Sequence, residues 1–466
     1  MDITVIRQLH QSGKLDQAKA GYLAILEDHL PALSPECIAI LNTIGTICYA
    51  QGQLDQAILY YRQAIHHKKD YVDAYYNLGL ALTKKELLVE ASDTYRQLLH
   101  HDPTHMAARF HLGCHWMRQE NMESAINEFL LIESTHPYHV ETQVNLATCY
   151  LKRGRFLDAT RHYKEALELN SSDTQILFNL GYLMMQHGSL DTAIQYYQRA
   201  LLVDPDCYEA HRNLGVAFLM KPRRDLALPH FKEAVRLKPN DTSLRYTISA
   251  LEQETPLLSA PPEYIQSLFD AYADHYEPHL LQALDYQVPD KMHALFSKWS
   301  RLKKSIDILD VGCGTGLSGA PFKSYARQLV GVDLSANMLE VARQKNMYDE
   351  LIQADALIFL NDKIALYDLM IAGDVLVYHG DLENVFRLAH QALRSGGELI
   401  FNVEEEYASH SYKMNQSGRF SHHASYIEQL AKAHHFTIRS AIALSTRSQH
   451  GAGVPGMLYF LKKDIV

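Results

Sequence analysis

Residues 307–319 read DILDVGCGTGLSG, an apolar run that ends in three alternate glycines, Gly312, Gly314 and Gly316. A run of this kind makes a buried strand. Glycines at its carboxyl end permit a tight turn, a close backbone approach to a ligand and tight packing of the helix that follows. Acids close three later apolar runs, at Asp333, Asp355 and Asp374. Carboxylates accept hydrogen bonds from the hydroxyls of a ribose and from an exocyclic amine. The glycines have no lysine beside them, and the spacing is GxGxG where a dinucleotide site favours GxGxxG. A nucleoside ligand without phosphates fits such a tract better than one with a pyrophosphate. S-adenosylmethionine, which carries a sulfonium and an ammonium, meets that description.

The elements that must hold these residues follow from periodicity. Seven β-rich runs, IDILDV, LVGVDL, LIQAD, YDLMIAGDV, ELIFNV, TIRSAIAL and MLYFLK, are separated by amphipathic stretches such as SANMLEVARQK, with Ser335 as its N-cap. This alternation predicts a mostly parallel, seven-stranded sheet covered on both faces, with its ligand beyond the carboxyl ends of the strands. The glycine tract and the strand-end acids, over residues 262–466, resemble class I S-adenosylmethionine-dependent methyltransferases of Rossmann-like α/β fold. LFDAYADHYEPHLLQALDYQVP and SGRFSHHASYIEQLAKAHHF narrow the resemblance to a bacterial group of such enzymes that carry tetratricopeptide repeats. The resemblance implies S-adenosylmethionine as cofactor, with Asp310, Gly312, Gly314 and Gly316 along its methionine part. Asp333, with Leu334 beside it, would take the ribose, Asp355 with Ala356 the adenine, and Asp374 would face the donor or acceptor cavity.

Methyl transfer from a sulfonium is an in-line displacement that asks mainly for alignment and exclusion of water. A phenol, thiol or protonated amine must also lose a proton, and a carboxylate need not. Side chains placed to help are Tyr272, His275 and Tyr276 on the entry helix, His379 after the fourth strand and His422 beyond the fifth. Of these, Tyr272 is taken as covering the donor and His422 as the proton-transfer candidate. Arg419 could pair an acidic substrate or cap a loop. GDVLVY stands where amide-nitrogen and adenine-N6 methyltransferases carry an (Asn/Asp/Ser)-Pro-Pro-aromatic tetrapeptide, so those acceptors are disfavoured. Carboxyl O-methylation and quinone-type C- or O-methylation stay open.

The first half repeats itself every 34 residues. Gly45, Gly79, Gly113, Ala147, Gly181 and Gly215 form one column; Ala57, Ala91, Ala125, Ala159, Ala193 and Ala227 form another. Aromatics at Tyr61, Tyr95, Phe129, Tyr163, Tyr197 and Phe231 form a third. Small residues at fixed columns let antiparallel helices approach closely, so each unit is a helical hairpin with the aromatic filling the gap between neighbours. The columns resemble tetratricopeptide repeats. Two residues before the first column stand Asn77, Asn145, Asn179 and Asn213, with His111 interrupting and Thr43 breaking the series. Superhelical arrays of this family use such asparagines to grip peptide backbone, which implies a protein or peptide partner in the groove.

These signals divide the chain into an all-α solenoid at 1–255 with about seven repeats and a capping helix, a proline-rich linker at 256–261, and a methyltransferase domain at 262–466. A formal charge of -10 argues against a nucleic-acid partner. Six scattered cysteines show no ligand spacing, so no metal is expected. The sequence carries no secretory signal pattern and no apolar run long enough for membrane insertion, which points to a cytoplasmic protein. The combined expectation is methyl transfer to an unidentified small molecule or protein. The competing one is a repeat scaffold whose methyltransferase domain is vestigial or regulatory.

Overall fold

The computed structural model describes residues 2–28, 34–253, 257–270, 272–273, 276–284, 286–301, 305–408, 411–449 and 452–465. The chain divides into two compact units, Met1–Lys221 and Pro222–Val466. The second helix of the sixth repeat, Arg224–Leu237, and the capping helix Thr242–Glu252 therefore count with the second unit.

The first unit is all helix. Hairpins such as Val72–Lys84 with Leu88–His101, and Thr174–Gln186 with Leu190–Val203, follow one another through the unit. The 34-residue columns explain why they close. Ala57, Ala91, Ala125, Ala159 and Ala193 are all fully buried, and so are the aromatics of the third column in this unit. The rings of Tyr61, Tyr95, Phe129 and Tyr197 rest on the glycines of their own hairpins, Gly45, Gly79, Gly113 and Gly181, rather than on neighbouring ones. A Cβ added at Gly113 would lie 2.7 Å from the ring of Phe129, and one at Gly181 2.6 Å from that of Tyr197.

The second unit is built on a nine-stranded sheet. Its strands are β1 (Ile306–Val311), β2 (Ala326–Asp333), β3 (Glu350–Gln353), β4 (Tyr367–Ala372), β5 (Leu393–Glu405), β6 (Tyr412–Met414), β7 (Phe420–His422), β8 (Phe436–Gln449) and β9 (Ala452–Lys463). The order β3-β2-β1-β4-β5 is parallel throughout, and the long antiparallel pair β9 and β8 extends it from β5. Seven strands are those expected from the sequence. The β6–β7 hairpin is additional: its strands have three residues each, too few to show an alternating pattern. Glu404 pairs with Gly456 of β9 on one side and Ser421 of β7 on the other, while β4 pairs with β5 only as far as Phe401. The hairpin therefore continues the lane of β4 past its carboxyl end.

Side-chain alternation assigns the two faces of the sheet. From β1, Leu309 and Val311 join the core with Phe386 and Phe401, whereas Ile306 and Ile308 join Phe296, Phe322 and Phe460 on the opposite face. Strand order reverses at β1, which has β2 on one side and β4 on the other. A ligand crevice belongs at that point, beyond the carboxyl ends of β1 and β4.

The glycine column allows a direct test. Gly79→Ala gains about 1 kcal/mol of helix propensity but drives a methyl group into the fully buried Tyr95 ring, an overpacking that costs about 1–3 kcal/mol. We expect net destabilisation in chemical denaturation, largely relieved when Tyr95→Leu is added.

Candidate functional site

A cleft opens where the topology places it, beyond β1, β2, β3 and β4. The turn after β1 puts Gly312, Gly314 and Gly316 at φ of 61°, 52° and 92°, a region that residues with a Cβ disfavour. Each glycine faces different surroundings. A Cβ at Gly312 would collide with Val375, and one at Gly316 would lie 2.9 Å from the Tyr348 ring. At Gly314 a Cβ would meet no atom within 4 Å, because this backbone faces the open cleft.

Asp333 fixes the turn. Its Oδ2 accepts the Gly314 N–H at 2.8 Å and its Oδ1 accepts the Ser335 N–H at 2.8 Å, and burial raises its pKa. Asp355 caps the helix Ala356–Leu360 through Oδ1, which accepts from the N–H groups of Leu357 and Ile358 at 2.8 and 3.1 Å. Asp374 sits at φ 61°, rare for a residue with a Cβ. Its N–H donates to Asn402 Oδ1 at 2.7 Å, and its Oδ1 accepts from Arg419 Nη2 at 2.6 Å. Arg419 also donates to Glu404 Oε1 at 2.7 Å, and Arg447 lies 3.2 Å from that same oxygen. Two carboxylates and two guanidiniums thus balance in one partly buried group, as buried charges require.

The cleft is lined by Gly312, Gly314, Asp333, Leu334, Asp355, Ala356 and Asp374, seven of the nine residues expected to hold a cofactor. The other two stand behind them. Asp310 is fully buried beneath the turn, where its Oδ2 accepts the Tyr348 hydroxyl at 2.6 Å and burial pushes its pKa up to about 7. Gly316 packs against Met347 and Tyr348. His422 lies in the core, with Nε2 2.9 Å from the His379 carbonyl oxygen and 3.1 Å from that of Gly380. Burial lowers its pKa to about 4, so the ring is neutral and acts as a donor to the backbone. Tyr272 is not part of the lining; its ring meets those of Tyr276 and His279 edge-on, at 5.7 and 5.5 Å. His275 lies outside the described residues. Tyr276 and His379 line the cleft, burial raising the pKa of the former and lowering that of the latter.

The remaining wall was not among the expectations drawn from the sequence. Ser259 bridges to His379, the Ala260 N–H donates to the Tyr378 carbonyl at 2.8 Å, and the Gly380 N–H donates to the Leu258 carbonyl at 2.8 Å. The expected linker is therefore a strap along the cleft, followed by the helix Pro262–Asp270, whose Ile265 and Phe269 also line it. Their spacing of four residues was the available signal: it puts two apolar side chains on one helix face.

On the repeats, the expected partner-binding asparagines are half-buried and join successive hairpins. Asn77 Nδ2 donates to Asn42 Oδ1 at 3.1 Å, Asn179 to the Tyr163 hydroxyl at 3.0 Å and Asn213 to that of Tyr197 at 3.5 Å, while Asn145 approaches Cys114 Sγ at 3.7 Å. Among the described residues, Glu133, His162 and Glu165 form one group of potential metal ligands. His162 Nδ1 lies 2.6 Å from Gln143 Oε1 and its Nε2 2.9 Å from Arg161 Nη2, so Nε2 accepts and Nδ1 carries the proton. That tautomer turns a donor, not a lone pair, towards the glutamates.

Comparison with known proteins agrees with both halves. The family described as a methyltransferase domain matches residues 309–401, and tetratricopeptide repeat families match residues 45–86, 144–202 and 185–242. Among curated relatives, the biotin biosynthesis bifunctional protein BioHC of Saccharophagus degradans is 28% identical over 24% of this chain and 22% of its own length. A malonyl-[acyl-carrier protein] O-methyltransferase of Hamiltonella defensa is 27% identical over 30% of this chain and 57% of its own. The mitochondrial ubiquinone biosynthesis O-methyltransferase of Rattus norvegicus is 28% identical over 21% and 30%. The chain thus spans less than two thirds of each. Of solved structures, a tetratricopeptide repeat protein of Cytophaga hutchinsonii aligns at 15% identity and a TM-score of 0.45, covering 52% of this chain and 98% of that one. The chain combines tetratricopeptide repeats with a class I methyltransferase domain.

Proposed function

We propose that the protein transfers a methyl group from S-adenosylmethionine to an acceptor, and that its repeats bind a protein or peptide that is, or delivers, that acceptor. The observation that carries the first part is the composition of the cleft. An open glycine backbone meets three strand-end carboxylates, and among the described residues no lysine or arginine lines the cleft. A phosphate would find no counter-charge there, whereas a phosphate-free nucleoside finds acceptors for its hydroxyls and amine.

Asp333 retains free lone pairs for a ribose, since each carboxylate oxygen receives one backbone N–H. Asp355 keeps Oδ2 for an adenine amine, and Leu334, Ala356 and Val375 offer apolar contact to the base. Gly312 and Gly314 bring bare backbone against the methionine part, with Asp310 and Gly316 supporting the turn from behind. When bound, the donor supplies an electrophilic methyl carbon on a sulfonium. The protein aligns the reactants and excludes water, through Asp374 and the aromatic wall. Tyr272 acts by holding Tyr276. His422 fixes the turn at residues 379–380 and, neutral in the core, moves no proton. Among the described residues no helix is long and apolar enough to cross a membrane. We place the protein in the cytoplasm.

Titration calorimetry tests the donor site. The full chain should bind S-adenosylmethionine, and Gly314→Arg, which fills the open backbone face, should abolish binding. Asp333→Ala should weaken it about tenfold to a hundredfold, the loss of hydrogen bonds to a charged group at about 1.5–3 kcal/mol. No binding at millimolar donor, or equal binding by both variants, defeats the enzyme reading and leaves the scaffold one. For the repeats, replacing Asn145, Asn179 and Asn213 together with alanine should reduce partner capture; unchanged capture shows that these amides only join hairpins. His422→Gln should lower thermal stability yet leave the pH dependence of methyl transfer unmoved between pH 6 and 9, since the native ring titrates at about 4.

A further inference from the structure

The cleft lining discriminates among acceptor chemistries. An acceptor carboxylate would be buried beside Asp374 with no lysine or arginine among the described lining residues. Arg419, which reaches Asp374, is already engaged and its charge is matched by two carboxylates: Nε donates to Glu404 at 2.7 Å, Nη2 to Asp374 at 2.6 Å and Nη1 to the Tyr378 hydroxyl at 3.4 Å. An unpaired charge in such a place is strongly disfavoured. A phenol or alcohol meets a different obstacle: losing its proton leaves an oxyanion beside the Asp374 carboxylate, whereas an ammonium that loses one becomes neutral. Besides carboxylates, which are weak bases, the lining offers Tyr276 and Tyr378, whose hydroxyls burial makes less acidic, and His379, whose ring burial keeps neutral and weakly basic.

Aromatic surface is what the cleft does provide. Phe269 meets Tyr276 edge-on at 5.9 Å between ring centres and Tyr378 at 5.7 Å, and all three rings line the cleft together with Asp374. Ring faces attract cations, most strongly where water is excluded, and a carboxylate beside them adds a hydrogen-bond acceptor for N–H. We infer that the acceptor is an amine, which enters as an alkylammonium against Phe269, Tyr276 and Tyr378 and donates to Asp374. The inference rests on the donor reading above.

The transfer balances without a protein base. The ammonium first releases one proton to water at the cleft mouth, as only its neutral form is nucleophilic. The nitrogen lone pair then bonds to the methyl carbon while the sulfur–carbon bond breaks and leaves its electron pair on sulfur. The products are a neutral thioether and a methylated ammonium.

Calorimetry with two matched probes tests the assignment on the full chain. The protein is first saturated with S-adenosylhomocysteine, which fills the donor seat; failure at this step is failure of the donor reading and is seen before any probe is added. The loaded protein is then titrated with phenethylammonium and with phenylacetate, which carry opposite charges on the same ring. Phenethylammonium should bind at least about tenfold more tightly. Phe269→Leu, which keeps apolar volume but removes the ring, should cut that ratio to about threefold or less. Equal or tighter binding of phenylacetate, or no binding of either probe, overturns the proposal. So does ammonium binding that vanishes on loading, since the rings would then serve only the donor.

Discussion

The hydrogen bond from the Gly314 N–H to Asp333 Oδ2, at 2.8 Å, is the constraint on which the cleft depends. The chain leaves β1 and turns through three left-handed glycines, a path that exposes backbone with no side chain to shield it. Such a loop has many alternatives unless something outside it selects one. Asp333 does so from the neighbouring strand, and the Cys313 N–H adds a second tie to the Val332 carbonyl at 3.0 Å. Because β1 and β2 are paired in parallel register, with Asp310 opposite Gly331, the carboxylate and the turn reach the same end of the sheet together. The sheet therefore positions the loop, and the loop opens the cleft.

Charge balance shapes the other side. Asp374 has a backbone conformation that costs about 1–3 kcal/mol for a residue with a Cβ, and it keeps that conformation because both its N–H and its carboxylate are held. Arg419 comes from the turn just before β7, and Glu404 from the part of β5 that runs beyond β4. The short β6–β7 hairpin thus exists to carry a guanidinium to the end of β4. Removing Arg419 would take the guanidinium from Asp374 and leave Glu404 with Arg447 alone, where water is scarce, a more severe change than loss of a surface ion pair. The same pairing withdraws Arg419 from any anionic substrate.

How much of this was legible depended on whether the responsible interaction repeats or is local. The 34-residue columns announced the hairpins because a tiny residue must face a ring, as Gly45, Gly79, Gly113 and Gly181 do, and that requirement recurs along the repeats. Strands β1 to β5, β8 and β9 showed as apolar runs long enough to display a period. Gly312, Gly314, Asp333, Asp355 and Asp374 could be read because strand ends and turn glycines have local sequence signatures. Strands β6 and β7 could not, since their pairing is set by partners elsewhere in the chain. His422 looked like a proton carrier because a sequence does not display burial; its ring is 1% exposed and satisfies backbone carbonyls. Of the aromatic wall only Tyr276 was singled out, for a related reason: its partners Phe269 and Tyr378 stand on separate segments.

The segment read as a linker shows why composition alone misplaces a boundary of function. Prolines at 261 and 262 break helical periodicity, yet residues 258–260 bond to the turn after β4, and the helix that follows is fastened at its far end. There Asp270 Oδ1 accepts the Ser335 hydroxyl at 2.5 Å, and its carbonyl accepts Asn337 Nδ2 at 3.0 Å, both on the segment that follows β2. At the near end Tyr246 of the capping helix packs against Tyr264, 4.7 Å between ring centres, and its hydroxyl donates to the Gly418 carbonyl at 2.5 Å. Gly418 immediately precedes Arg419. One buried tyrosine from the helix that ends the repeats thus touches both the wall of the cleft and the turn that supplies its guanidinium. A helix needed only to cap a solenoid has no use for either contact, and this helix accordingly belongs to the second compact unit.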